Sequence, residues 1–165
     1  MQTARTLSTA CLPLVLLAAL GLHAQSNPPF AGTWTRVEPP LAPDATHVEQ
    51  IEVHGATLKI HREQRGSAGT LGYGFSGDRT YTIDGPPESK PDADGRVRTV
   101  GVHREGRSLV LAVTTIEGAN ATYEREVWTV ADDGTMLTKE RQTSDWRGTR
   151  TEKLVFRRTE GKRQR

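Results

Sequence analysis

The sequence predicts an all-β protein: a single antiparallel up-and-down β-barrel of about eight to ten strands, following an N-terminal signal peptide. Three observations predict it. No stretch beyond the first two dozen residues keeps a 3.6-residue apolar period for three turns. Apolar and polar residues alternate almost throughout, the period of a strand with one buried face. Gly, Pro and Asp break that alternation at short intervals, as turns between strands do.

The chain has 165 residues, room for one ordinary domain. Its first segment stands apart from that domain. Met1–Arg5 carries one positive charge, Ala10–Leu22 is almost wholly apolar, and Leu22-His23-Ala24 offers a small residue for cleavage. That is the n-, h- and c-region order of a secretory signal peptide. A membrane anchor is the competing reading, but a spanning helix needs about 20 apolar residues, and Pro13 and Gly21 interrupt this run. Cys11 precedes most of the apolar run instead of ending it, which argues against lipoprotein processing. The expected division is therefore 1–24 signal peptide, 25–160 barrel and 161–165 disordered basic tail. The expected location is exported, either periplasmic or extracellular.

Cleavage removes Cys11, the only cysteine, so the mature chain has no disulfide, no thiol nucleophile and no thiolate metal site. Such a domain must rest on its core. At roughly 140 residues, about two thirds of the unfolded chain's surface can be buried. Lys and Arg total 22 against 20 Asp and Glu. That balance gives no electrostatic case for nucleic acid or an anionic membrane, and no stable membrane insertion is expected after cleavage.

The alternation marks strands at 31–37, 46–54, 57–64, 70–76, 79–84, 96–104, 107–116, 121–131, 135–144 and 149–158. Four turns test the register. Gly55-Ala56 sets Val53 against Leu58 and Ile51 against Ile60. Glu105-Gly106 sets Val102 against Leu109, and Asp133-Gly134 sets Val130 against Leu137 and Trp128 against Lys139. Arg147-Gly148 sets Arg141 against Leu154 and Lys139 against Phe156. Each register leaves one coherent apolar face, which a one-residue slip would scramble.

Connections then sort by end. His54–Thr57, Gly77-Asp78, Glu105-Gly106 and Asp133-Gly134 are tight and share one end. Glu38–Ala45, Gln64–Thr70, Gly85–Gly95 and Glu117–Ala121 are longer and share the other, where only Arg147-Gly148 is short. The expected shape is a cup with a closed base and a loop-ringed mouth, and "GPPESKPDADG" lies on the rim. An even-stranded meander brings its first and last strands together. Gly32 then lets backbone approach closely, Trp34 plugs the base, and Arg158 lies across the indole.

"AGTW", with Arg158 late in the last strand, resembles the G-x-W signature of the lipocalin and wider calycin barrels. "YTIDGPP", "REGRSLVLAVTT" and "EVWTVADDGTMLTKER" look like a group of uncharacterised bacterial secreted proteins with a lipocalin-like barrel. The resemblance spans most of the mature chain, and its motifs are structural. It implies a barrel that holds a small apolar or amphipathic ligand, without naming one. The sequence departs from the standard lipocalin in lacking its disulfide and in having more than eight short strands.

Metal and catalytic motifs are sparse. His54 and His61 point outward, about 13 Å apart at a rise of about 3.3 Å per residue, while His47 takes the opposite face of its strand; no metal site is expected. No G-x-S-x-G elbow, Walker loop or dinucleotide loop occurs, and "GSAGTLGYGFSG" lacks the helix that a phosphate loop feeds. No cofactor is implied.

One inward set is polar. Glu126, Lys139 and Arg141 share a face with Trp128, Val130 and Leu137, and Glu126 stands opposite Arg141. An inward carboxylate is costly unless paired, so this set marks either a lined, partly wet cavity or the solvated mouth above the barrel. Tyr73, Phe75, Tyr81, Trp128, Glu126 and Arg141 are the candidate ligand-binding residues, suited to an apolar body with a polar head. The expected function is non-catalytic small-molecule binding. A cell-envelope interaction module with a side-chain-filled barrel is the alternative, and an enzyme comes third. An interior opening of about 300 Å³ separates the first two.

Overall fold

Alternating side chains build one continuous wall. The computed structural model describes residues 29–68, 71–72, 75–91 and 95–159, with the backbone alone for 67, 68, 71, 72 and 75. The signal peptide and basic tail expected at 1–24 and 161–165 lie outside the described residues. The strands are β1 (Gly32–Glu38), β2 (Thr46–His54), β3 (Thr57–Arg65), β4 (Ser67–Ala68), β5 (Leu71–Gly72), β6 (Phe75–Thr82), β7 (Glu88–Pro91), β8 (Val97–Glu105), β9 (Ser108–Glu117), β10 (Asn120–Val130), β11 (Met136–Asp145) and β12 (Gly148–Thr159). No α-helix occurs among the described residues.

Ten strands form one antiparallel up-and-down sheet in the order β6-β3-β2-β1-β12-β11-β10-β9-β8-β7. As expected, the first and last strands meet, with Trp34 opposite Arg158. The sheet curls until its two edges, β6 and β7, approach each other. They do not pair. Near the base Ile83 instead bridges Val102 on β8, and the Asp84 amide donates to the Val102 carbonyl at 2.8 Å. Asp84 also accepts from the Arg104 amide at 2.8 Å and its guanidinium at 2.7 Å. A seam above this clasp leaves the wall open between β6 and β7.

Three expectations fail here. Gly77 and Asp78 are no turn: they lie inside β6, opposite Arg62 and His61 of β3. The strand expected at 70–76 is replaced by the short β4–β5 excursion, so β3 pairs directly with β6. The "GPPESKPDADG" segment is likewise not one rim loop. Its middle forms β7, with Glu88 opposite Val100 and Pro91 opposite Val97. Pro86 and Pro87 immediately precede this strand, and an edge strand beginning just after them needs no amide from either.

The Gly55-Ala56 and Asp133-Gly134 registers match the expectation. The other two slip by two residues. Gly106-Arg107 is the turn, with Glu105 opposite Ser108 and Val102 opposite Leu111. Gly106, at φ 59°, takes the first central position instead of the second. In the next hairpin Trp146-Arg147 is central, because the Asp145 carboxylate accepts from the Arg147 amide at 2.8 Å and closes the turn early. Lys139 therefore faces Leu154 and Arg141 faces Glu152. A slip of two preserves which face each side chain takes, so the inward assignments survive.

The core fills the lower half of the barrel. Trp34, Leu58, Leu109, Leu137 and Phe156 are all buried there, with Trp128 above them. At the base, the Trp34 indole N–H donates to the Phe30 carbonyl at 2.8 Å. The Arg158 guanidinium lies 4.3 Å from the Trp34 ring and donates to the carbonyls of Gly134, Ala31 and Pro29 at 2.6, 2.6 and 2.7 Å. Gly32 has φ 141°, and a Cβ there would meet Arg158 Nη1 at 2.6 Å. Only glycine fits beneath that cation.

Candidate functional site

Above the apolar base the inward positions become charged. On β2 the residue two before Ile51 is Glu49, and on β3 the residue two after Ile60 is Arg62. Both therefore point inward by the same alternation. Glu49 is fully buried. It accepts from Arg62 Nε at 2.9 Å, contacts His47 Nε2 at 3.1 Å, and is ion-paired with Lys139. Lys139 crosses from β11, also fully buried, with its ammonium 3.5 Å from the centre of the Trp128 ring. Burial alone would push the Glu49 carboxyl up, but Lys139, His47 and Arg62 together hold it well below the usual carboxylate range. Burial pulls the Lys139 ammonium below its ordinary value, against the attraction of Glu49 and Glu126.

The next layer belongs to Arg141. Its guanidinium stands 3.3 Å from Glu126 Oε2, 3.6 Å from Glu124 Oε1 and 3.7 Å from Glu152 Oε2. Burial would lower its pKa, but Glu126 and Glu124 outweigh burial and raise it. The Glu126–Arg141 pair read from the sequence is thus a lined interior contact and not a solvated fringe, since Glu126 is buried.

A small inner cavity of about 30 Å³ sits among Arg62, Tyr81, Glu126, Trp128 and Arg141. It holds little more than one or two waters. Next to it, a cleft of about 240 Å³ follows the seam, lined by Arg79 and Tyr81 of β6, Glu88 and Lys90 of β7, and Arg98 and Val100 of β8. Arg79, Tyr81 and Arg98 line both spaces. A larger depression, about 340 Å³, lies on the outer face over β2, β3 and β6. Exposed Glu52, Lys59 and Asp78 line it, so it is a solvated groove of the wall.

Of the six candidate binding residues, Tyr81, Trp128, Glu126 and Arg141 converge on the inner cavity. Tyr73 lies outside the described residues, and of Phe75 only the backbone is described, opposite Gln64. Sequence reasoning passed over Glu49, Arg62, Arg79 and Arg98. Parity with Ile51, Ile60 and Val100 could have found Glu49, Arg62 and Arg98. Arg79, two residues before Tyr81 in the expected strand 79–84, could have been found by the same parity. His61 and His103 take carboxylate partners, Asp78 at 2.5 Å and Glu105 at 3.0 Å. Among the described residues no group of His, Cys, Asp or Glu is placed to hold a metal ion.

No family model and no curated protein matches the sequence. Solved structures do. Lipid binding protein 8 of Caenorhabditis elegans in its apo form aligns with a TM-score of 0.55 at 13% identity, over 81% of this chain and 98% of that one. The fold is a lipocalin-like, calycin-type β-barrel. A structure titled REP1-NXSQ fatty acid transporter aligns at 0.54 and 16% identity, over 80% of this chain and 97% of its own. A secretory abundant heat soluble protein of Ramazzottius varieornatus aligns at 0.51 and 12%, over 81% and 98%. At such identities the calycin likeness is one of fold. The site must be argued from this chain's own residues.

Proposed function

We propose that the protein is a non-catalytic binder of small amphipathic acids, working outside the cytoplasm, with the acid taken up at the seam between β6 and β7. One observation carries the reading. Arg79 and Arg98 face the seam cleft and the inner cavity together, and among the described residues neither has a carboxylate partner. Lys139, Arg62 and Arg141 are matched by glutamates. Two unmatched guanidiniums beside Tyr81 and Val100 suit an acid head on an apolar body. The cleft volume, about 240 Å³, lies just below the usual range of small-molecule pockets. That favours a short or aromatic acid over a long acyl chain. Structural neighbours named for lipid and fatty-acid binding support binding as the barrel's work. The leader pattern at the N-terminus supports export.

Titrating folded protein with aromatic acids, fatty acids and isoprenoids by calorimetry tests the reading. Aromatic acids should bind, and Arg79→Gln and Arg98→Gln should each weaken them about tenfold or more. Determining the N-terminus of protein recovered from its host tests export, with a chain beginning near Gln25 expected.

A second reading has its own observation. The inner cavity, at about 30 Å³, is close to filled by side chains, while Val97, Ile116, Tyr123 and Trp146 are exposed. A filled barrel presenting that rim would be an interaction module of the cell envelope. Silence across the whole ligand panel would select it.

A further inference from the structure

Three residues lining the inner cavity carry a buried polar atom without a hydrogen-bond partner among the described residues. Arg141 Nε still has Glu124 Oε1 at 3.6 Å as an ion-pair partner, whereas the atoms of Trp128 and Glu126 have no counter-group at all. Trp128 is fully buried and Glu126 is 4% exposed. Among the described residues, Trp128 Nε1 and Glu126 Oε1 have no hydrogen-bond partner. Glu126 Oε2 is taken by Arg141 at 3.3 Å, so its other oxygen alone is free to accept. Leaving a buried donor or acceptor unsatisfied costs about 1–3 kcal/mol for each. Both residues line the same space, whose volume of about 30 Å³ admits one small group.

The chemistry of that group follows from the pair. The indole N–H only donates and the carboxylate oxygen only accepts. A hydroxyl satisfies both, taking the indole proton on a lone pair and giving its own to Glu126. A carboxylate cannot donate and would be repelled by Glu126. A methyl group would leave both atoms unmatched. An ammonium cannot accept, and it would meet Lys139 and Arg141.

We infer that the inner cavity is a hydroxyl-recognition subsite at the inner end of the seam cleft, so that the preferred ligands are hydroxylated acids, phenolic acids foremost. This rests on the acid-binding reading above. The carboxylate meets Arg79 and Arg98, the ring lies along Tyr81, and the phenol reaches Trp128 and Glu126. Arg79, Tyr81 and Arg98 line both spaces, so one rigid ligand spans them.

The test compares three acids of one length by calorimetry on the full mature chain: 3-(4-hydroxyphenyl)propanoate, 3-(4-methylphenyl)propanoate and 3-phenylpropanoate. The phenol should bind at least roughly 5- to 150-fold tighter than either of the others, the range that a single unmatched buried group predicts. Glu126→Met should close that gap, and so should Trp128→Phe, which keeps a ring under Lys139 but removes the N–H. Either variant suffices if the other fails to fold. Equal affinity for the three acids overturns the subsite and leaves acid binding standing. A phenol preference undiminished in both variants overturns it as well. Binding of none of the acids removes the acid-binding reading and the subsite with it.

Discussion

Arg158 covers Trp34 at the base of the barrel, its guanidinium 4.3 Å from the indole ring and hydrogen-bonded to three backbone carbonyls. The three carbonyls come from the entering chain at Pro29 and Ala31 and from the β10–β11 turn at Gly134. One cation thus ties the start of the barrel to its end. Removing it strands carbonyls as well as a ring face. Arg158→Ala should therefore cost about 2–3 kcal/mol, nearer a set of charge-assisted hydrogen bonds than a lone cation–π contact. Trp34→Ala should cost about 3–5 kcal/mol, as large aromatic truncations in cores do. Chemical denaturation midpoints check both, and an unchanged midpoint for Trp34→Ala would remove it from the core.

Glu49 and Lys139 should behave as a unit. Each is fully buried, and each is the other's principal counter-charge. Glu49→Gln leaves the Lys139 ammonium without that partner in a low-dielectric layer, at an expected cost of about 3–5 kcal/mol. Lys139→Met should cost less, because Arg62 and His47 still face Glu49. The double variant should recover most of the loss, since a well-packed neutral pair replaces a buried ion pair with little net cost. A double-mutant cycle by denaturation measures the coupling. Strict additivity would show that the pair is not coupled.

Acid should unfold the protein partly through Glu49. Its folded pKa lies below its unfolded value of 4.5. The stabilisation is thus fully present above about pH 4.5 and is lost as pH falls toward the folded value. Over that window this one group should contribute a slope approaching about 1.4 kcal/mol per pH unit. The Glu49→Gln, Lys139→Met double variant lacks the group and should show a correspondingly shallower acid limb. Identical acid limbs in the two proteins would assign acid unfolding to other carboxylates.

The parts of this structure that obey local rules were legible in the sequence. Alternation placed Trp128, Lys139 and Arg141 inward, and that held even where the turn before β12 was misplaced, because a two-residue slip keeps each face. The G-x-W start and the late arginine gave the base, since strand parity and the closing of a meander suffice to bring Gly32, Trp34 and Arg158 together. The seam was not legible. Prolines beside Glu88 hid a strand of four residues, and Gly77-Asp78 imitated a turn within β6. Whether two strand edges pair or stop short depends on the accumulated twist and curl of the whole sheet, which no local pattern carries. The site inherited that blindness. Arg79 and Arg98 meet across the seam, so they could not be grouped before the seam was known.

The clasp at the foot of the seam should control how readily the edges part. Asp84 holds Arg104 through two hydrogen bonds from a left-handed backbone position, φ 59°. Beside it, Ile83–Val102 is the isolated bridge joining the two sides. β7 pairs with β8 over only four residues and its other edge is unpaired, so opening should begin there and not in the long β9–β10–β11 ladders. Asp84→Ala removes both acceptors and disfavours the local backbone. Amide exchange in β6 and β7 should then accelerate markedly while β9, β10 and β11 stay protected. Asp84→Asn keeps a side-chain acceptor for the Arg104 amide and tolerates the left-handed conformation, so it should retain most of the protection. Exchange resolved by residue decides the matter. Acceleration spread evenly over all ten strands would mean that Asp84 supports global stability instead, and no acceleration would mean that the β6 and β7 edges are held without it.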